Sequence, residues 1–305
     1  MKRKLFIFFL FFLLVFSLDV KASPVTEISE TEREILMEQY KELKKRLNYL
    51  RWYVKKFAIQ EELGAIAYSV IDLSQESTLL QKNSENAYSI ASITKLMTAV
   101  VASENIDINQ EVTLAQEMFL PNSWQRQSPA IFPGAKILAG DLMKASLIQS
   151  TNNAAHSLTH LVSEKDFIEL MNEKASEIGM NDTSFHDAHG LSEKNESSAQ
   201  DLAKLLAYVL ENKPHLLEIT KEKKFQLPGE CPEHGWICTF MNLNIFHGIA
   251  EFVGGKSGFT NAAGNTFAGV FSFEDTPYSI VLLNTKSRTK DTQKIWEWLK
   301  EKPQS

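Results

Sequence analysis

The sequence predicts an α/β (α+β) fold: an antiparallel sheet built from N- and C-terminal strands, with helices packed around it. Three observations carry this. Ala65–Leu73 is a short apolar run with strand character, and Thr78–Gln81 reads as its hairpin partner. Three β-rich runs return near the other end, Glu251–Phe259, Thr266–Phe273 and Tyr278–Leu283. Between the two groups, apolar residues recur at helical spacing. Strands at both ends with helices between them place the terminal strands in one sheet. They are antiparallel and joined by tight turns such as Asn261–Gly264 and Glu274–Pro277.

Taken in order, residues 1–22 read as a signal peptide. Lys2, Arg3 and Lys4 form a positive start, Leu5–Leu18 is mostly Phe and Leu, and Val20-Lys21-Ala22 offers a cleavage site before Ser23. The apolar run is shorter than the roughly 20 residues of a spanning helix. Cleavage is the expectation, and an uncleaved signal would leave a membrane tether; either way the remainder is exported. Residues 23–62 form a charged helical segment in which Leu36, Tyr40, Leu43, Leu47, Leu50, Val54 and Phe57 alternate steps of four and three. That is a heptad seam. It suits a short coiled coil with self-association through residues 36–57, a spacer from the membrane, or a helix lying on the rest of the chain.

The pattern changes at Gly64. After the first hairpin a helix is expected over Ser92–Ser103, then a mixed connection over 104–140 containing Pro121, Pro129 and Pro133. Asp141–Val162 reads as one helix with Asp141 as its N-cap, and Phe167–Ile178 as another ended by Gly179. Ser198–Leu210 is a third, stopped before Pro214, and Thr289–Lys300 closes the chain with Trp296 and Trp298. No internal repeat or low-complexity linker divides the later chain, so residues 63–305 read as one domain.

Composition bounds the function. The 305 residues are 44% hydrophobic, ordinary for a chain with a proper core, and carry a formal charge of −6. With no basic tract or zinc-finger spacing, that charge gives no support for nucleic-acid binding. Cys231 and Cys238 lie close together in an exported chain, so a local disulfide is the first reading. A metal site using the intervening His234, or free thiols, are the alternatives.

The chemistry starts at Ser92-Ile93-Thr94-Lys95. Residues three apart on a helix share a face, so the lysine amine reaches the serine hydroxyl without help from the rest of the fold. Ile90, Ile93, Leu96, Met97 and Val100 place this helix in the core. A lysine buried there is costly unless it is partnered or loses its proton, and a neutral lysine beside a serine is a base beside a nucleophile. Ser287 and Lys290 share the spacing, so the pair alone does not decide.

Two further patches do. Ser150-Thr151-Asn152 follows late in the 141–162 segment, although Ser-x-Asn recurs at Ser84/Asn86 and Ser103/Asn105. Gly255-Lys256-Ser257-Gly258 sits in the first late strand, where flanking glycines mark the close approach of a ligand or an edge position. In this order, Ser-x-x-Lys, Ser-x-Asn and Lys-Ser-Gly resemble the three motifs of penicillin-binding proteins and class A β-lactamases. Gly179–Leu191, Ala199–Ala203 and Gly254–Gly264 resemble segments of the D-alanyl-D-alanine carboxypeptidase family, serine peptidase family S11. The resemblance runs from about Gly64 to the chain end.

The resemblance implies a β-lactamase/transpeptidase-like fold and a serine DD-carboxypeptidase acting on peptidoglycan stem peptides that end in D-Ala-D-Ala. Ser92 would be acylated, by substrate or by β-lactams, with Lys95 taking its proton. Ser150 would relay a proton to the leaving D-alanine and Asn152 would hold the substrate amide. Lys256 and Ser257, in the run that continues to Gly258 and Phe259, would bind the terminal carboxylate. Backbone N–H groups of Ser92 and Phe259 would form the oxyanion hole. No cofactor is implied. His186, Asp187 and His189 gather potential metal ligands but fall inside a family-like segment, and no His-Glu-x-x-His occurs. Ser257 stands where threonine is commoner in the family, and the N-terminal heptad helix lies outside the shared pattern. A DD-endopeptidase is the nearest alternative. A class A-like β-lactamase would need a Glu-x-x-Leu-Asn-type patch between Asn152 and Lys256, of which there is no convincing example. A non-catalytic β-lactam or cell-wall sensor would keep the same motifs.

Overall fold

The computed structural model describes residues 29–121, 131–230 and 237–303. The signal read at 1–22, and Cys231, lie outside the described residues. Contacts divide the chain into two units between Arg51 and Trp52. Helix α1 (Glu30–Glu62) begins in the first and ends in the second. Ser29 caps it, its side chain and that of Glu32 exchanging hydrogen bonds with each other's backbone N–H groups, a capping box. All seven heptad positions are exposed.

The second unit is built on a five-stranded antiparallel sheet. After β1 (Ala67–Asp72) and β2 (Ser77–Lys82) the chain leaves the sheet through β3 (Tyr88–Ser89) and a 3₁₀ turn, Ala91–Ile93, into α2 (Thr94–Asn105). Strands β4 (Glu111–Thr113) and β5 (Lys136–Leu138) pair with each other and lead into α3 (Ala139–Ile148) and α4 (Asn152–Thr159). There follow α5 (Glu164–Glu177), β6 (Glu196–Ser197), α6 (Ala199–Asn212) and α7 (Pro214–Lys221). A hairpin, β7 (Lys224–Glu230) and β8 (Ile237–Met241), precedes β9 (Phe252–Thr260), β10 (Gly264–Phe273), β11 (Thr276–Thr285) and α8 (Arg288–Lys300).

The sheet order is β2-β1-β11-β10-β9, so the first and last strands do share one sheet, with β1 paired to β11 from Ala67↔Leu283 to Asp72↔Tyr278. Side chains alternate between its faces. Val281 and Leu283 join the core formed with α2 to α7, while Ile280 and Leu282 join a second core on the other face. That second core contains Phe252, Phe267 and Phe271, with Ile295, Trp298 and Leu299 from α8 and Trp52 from α1. Trp52 and Trp298 stack at 4.5 Å and 7°, and each indole N–H donates to the other's backbone carbonyl.

Several expectations shift. Asp141–Val162 is two helices, broken at Gln149–Thr151, with Ser150 in the left-handed region at φ 60. Ser, Thr and Asn side chains compete for backbone hydrogen bonds, and a run of them ends a helix without Gly or Pro. Asp141 is not the N-cap; Leu138, extended and arriving directly from β5, holds that place, and Asp141 lies in the first turn beside Lys144. The Ser92–Ser103 helix begins as a 3₁₀ turn. Ser163 and Ser198 cap α5 and α6 by accepting from Asp166 and Asp201 N–H. The β7–β8 hairpin was not read from the sequence. Cys238 in β8 is disulfide-bonded.

The paired tryptophans close one face of the sheet. Trp298→Ala should therefore lower unfolding free energy by about 3–5 kcal/mol, the cost of deleting a buried Trp. Urea denaturation measures this, and a loss below about 1 kcal/mol would show that the stack is not a main tie between α1 and α8.

Candidate active site

Ser92 sits in the 3₁₀ turn before α2, and that turn is held from several sides. Ile90 N–H donates to Asn195 O, Thr266 Oγ1 donates to Ile90 O, and Thr94 Oγ1 donates to Ala91 O. Ala91 takes φ 50, an unfavourable value for a residue with a Cβ. A Cβ on Gly190 would stand 2.2 Å from Ala91 O, and one on Gly258 would stand 2.8 Å from Ser92 N. Only glycine lets the two flanking segments come this near. The glycines of the Lys256 strand therefore serve backbone-on-backbone packing: a Cβ on Gly255 would also strike Ala268 O at 2.4 Å.

Lys95, the second residue of α2 and one turn after Ser92, is fully buried. Its Nζ lies 3.0 Å from Ser92 Oγ and 2.8 Å from Asn152 Oδ1, and donates to the backbone carbonyl of His189. Burial, and then the neighbouring Lys256 charge, hold its pKa well below the ordinary lysine value; Asp187 opposes them. A neutral amine has two N–H groups and one lone pair. Asn152 Oδ1 and His189 O can only accept, so they take the two N–H groups. In the neutral form the lone pair is left facing Ser92, whose hydroxyl can donate to it; in the charged form the third N–H donates to Ser92 Oγ. The surroundings of Lys95 thus lower its pKa and fix its orientation.

The break between α3 and α4 supplies the second wall. It brings Ser150 and Asn152 into the same cleft, which helical spacing within one continuous helix would not have specified. On the third side, Lys256 from β9 donates to Ser150 Oγ at 2.9 Å and to Ser257 O at 3.2 Å. Burial, and then Arg288, lower its pKa to about 7. The cleft is about 530 Å³ and is lined by Ser92, Ser150, Asn152, Lys256, Ser257, Gly258 and Phe259, with Lys95 beneath it. All eight residues singled out in the sequence therefore converge. No carboxylate lies among the described residues lining the cleft.

Arg288 is unmarked in the sequence, and Asp187 is marked there only as a potential metal ligand. Arg288, at the start of α8, lines the cleft and donates to Gly258 O at 2.9 Å. Asp187 organises the turn that presents His189 O. Its Oδ1 accepts from His189, Gly190 and Asn195 Nδ2, and its Oδ2 from Ser192 N–H. Against burial, the neighbouring His189 and then those bonds hold its carboxyl below the usual value. His189 Nδ1 lies 3.3 Å from Asp187 Oδ1, and burial lowers the imidazole to about 4. His186, Asp187 and His189 do not form a metal cluster, and no cluster of three or more such ligands occurs among the described residues.

Residues 54–287 match the peptidase S11 family, described as D-alanyl-D-alanine carboxypeptidase. The chain is 38% identical over 148 residues to a D-alanyl-D-alanine endopeptidase of Haemophilus influenzae, covering 48% of this chain and 50% of that one. It is 29% identical to D-alanyl-D-alanine carboxypeptidase DacC of Escherichia coli, covering 77% of this chain and 61% of the relative. A D-alanyl-D-alanine endopeptidase of Escherichia coli is 27% identical, with 79% of each chain covered. The chain thus spans about half and about three-fifths of the length of the first two. Penicillin-binding protein D2 of Listeria monocytogenes, in its cefotaxime-bound form, superposes with a TM-score of 0.68 at 28% identity, over 77% of this chain and 97% of that one.

The depressed lysines carry a stability signature. Between about pH 7 and its unfolded value near 10.4, Lys256 binds fewer protons folded than unfolded, so its contribution to stability rises with pH across that window. Lys256→Met should remove this contribution. The wild-type protein should gain stability relative to the variant from pH 7 to 10 in parallel urea titrations, and a constant difference would rule out the depressed pKa.

Proposed function

Because the chain belongs to the D-alanyl-D-alanine carboxypeptidase family of S11 peptidases, we propose that it is an exported serine DD-peptidase acting on peptidoglycan stem peptides. The observation that carries this is the placement of Lys95: a buried amine, two fixed acceptors, and Ser92 on its remaining side. Ser92 Oγ attacks the carbonyl between the two terminal D-alanines as its proton passes to Lys95 Nζ. The developing oxyanion faces the N–H groups of Ser92 and Phe259, where one donor is worth about 3–4 kcal/mol. The C–N bond breaks as Ser150, held by Lys256, relays a proton to the leaving amine. Water then hydrolyses the Ser92 ester, and the hydroxyl regains its proton. Asn152 holds the peptide amide in addition to orienting Lys95.

Lys256, Ser257 and the Gly258–Phe259 edge receive the terminal carboxylate. With its pKa lowered to about 7, Lys256 is poised for this: an incoming anion restores its full charge. β-Lactams would acylate the same serine. A cleft without a lining carboxylate among the described residues favours a long-lived ester over a β-lactamase, which needs one to activate the deacylating water. Residues 63–305 would be the catalytic domain, 23–62 an accessory helix, and 1–22 the export signal. Removal of the terminal D-alanine is the first reading. Cleavage of cross-links between stems is the second, favoured by relatives named D-alanyl-D-alanine endopeptidase, one with 79% of each chain aligned.

Incubation with penicillin should add one persistent adduct by intact mass, absent from Ser92→Ala; an adduct on both proteins, or on neither, refutes acylation at Ser92. Free D-alanine from a pentapeptide would establish carboxypeptidase action, whereas cleavage of cross-linked dimers without D-alanine release would establish the second reading. Failure of soluble, folded protein to do either would leave a sensor.

Asp187→Asn addresses the positioning of the base. Loosening His189 O should slow penicillin acylation at least ~10-fold, part of the ~10²–10⁴ a positioned base supplies. Losing the Asp187 charge should also move the acidic limb of the pH–rate profile to lower pH, since that charge raises the Lys95 pKa. An unchanged rate and profile would remove Asp187 from any such role.

A further inference from the structure

Helix α1 leaves an apolar stripe uncovered, and from residue 36 to 51 its ionised groups are sorted around it. Within the first unit, Leu36, Tyr40, Leu43, Leu47 and Leu50 are between 42% and 64% exposed. At about 100° per residue they fall within roughly 40° of one line. From residue 36 to 51 the charged residues bordering that line are Lys44 and Arg51 on one side and Arg46 on the other; one turn before Leu36, Glu32 lies about 40° from it and Arg33 about 60°. Glu34, Glu38 and Glu42 lie roughly 160–240° away, on the back of the helix, with Lys45 at the centre of that back face. Glu42 pairs with Arg46 across one turn at 2.9 Å. From residue 41 to 51 five bases face a single acid, in a chain whose formal charge is −6.

A second copy of the chain would meet this stripe with the same cations. In a parallel pairing Arg46 lies beside the partner's Arg51, and in an antiparallel pairing Lys44 approaches its own counterpart. Both juxtapositions are repulsive. A surface offering apolar depth beneath a layer of anionic oxygens satisfies stripe and flanks together. The geometry points to an anionic lipid bilayer as the partner of this helix: residues 36–50 lie in the plane of the membrane surface, apolar stripe inward and Lys44, Arg46 and Arg51 at the headgroups. Tyr40 suits that boundary, with its ring in the apolar layer and its hydroxyl among the headgroups. This inference does not depend on the catalytic reading.

The test places a nitroxide on the full chain at Leu47→Cys, on the stripe, or at Lys45→Cys, on the back. Power saturation then compares access by oxygen and by a water-soluble nickel chelate, so an apolar N-terminus that tethers the chain by itself does not give a false positive. With vesicles of phosphatidylglycerol and phosphatidylcholine, the label at 47 should lose access to the chelate while the label at 45 keeps it. With phosphatidylcholine alone, or at high salt, both should remain accessible. Chelate access at both positions on the anionic vesicles would overturn the proposal. So would spin–spin broadening at 47 without lipid, which would mean that a second copy covers the stripe.

Discussion

One buried amine sets the terms for the rest of the catalytic unit. Lys95 has no exposure to solvent, so a charged ammonium there would forfeit its hydration, a cost of several kcal/mol even after relaxation. The protein meets that cost by lowering the lysine's pKa and giving its amine fixed acceptors. Those acceptors come from separate parts of the chain: Asn152 from the start of α4 and His189 O from the turn that Asp187 organises. Each part is shaped to arrive there. The α3–α4 break and the Asp187 turn look like irregularities in isolation, yet each delivers one hydrogen-bonding group to the same nitrogen.

The edge strand β9 supplies the other half of the site by a different physical route. It must run close enough to the Ser92 turn that a side chain on Gly258 could not be accommodated. Lys256 then projects from a strand whose backbone is already committed to β10, and its amine meets Ser150. Three basic side chains, Lys95, Lys256 and Arg288, act on one another around a cleft without a lining carboxylate among the described residues. Each lowers the proton affinity of the next, Arg288 on Lys256 and Lys256 on Lys95. An anionic substrate end entering this field relieves the repulsion, while the deepest amine keeps its lone pair.

Much of this was legible in one dimension because the groups involved are local. Ser92 and Lys95 lie one helical turn apart, and Lys256 to Phe259 are consecutive residues in one strand. The antiparallel sheet was legible for the same kind of reason: alternating runs bounded by turn residues report strand faces directly. Arg288 and the role of Asp187 were not legible. The first acts across the sheet on a strand that ended 28 residues earlier, at Thr260. The second works through backbone N–H groups, which every residue possesses and no motif records. The single helix expected over 141–162 failed because the competition between Ser, Thr and Asn side chains and the helix ladder is settled by what each side chain finds nearby.

By itself, then, the sequence determined which residue types could do the chemistry, the order of the strands along the chain, and the seam on the N-terminal helix, all of them consequences of spacing. Tertiary structure decided the lowered pKa of Lys95, the placement of its amine, the left-handed turn that delivers Ser150, and the strand approach that only Gly258 permits. Those features depend on burial and on distances between residues far apart in the chain. The free energy of a charge or a hydrogen bond is set by the atoms within a few ångströms, and folding alone chooses those atoms.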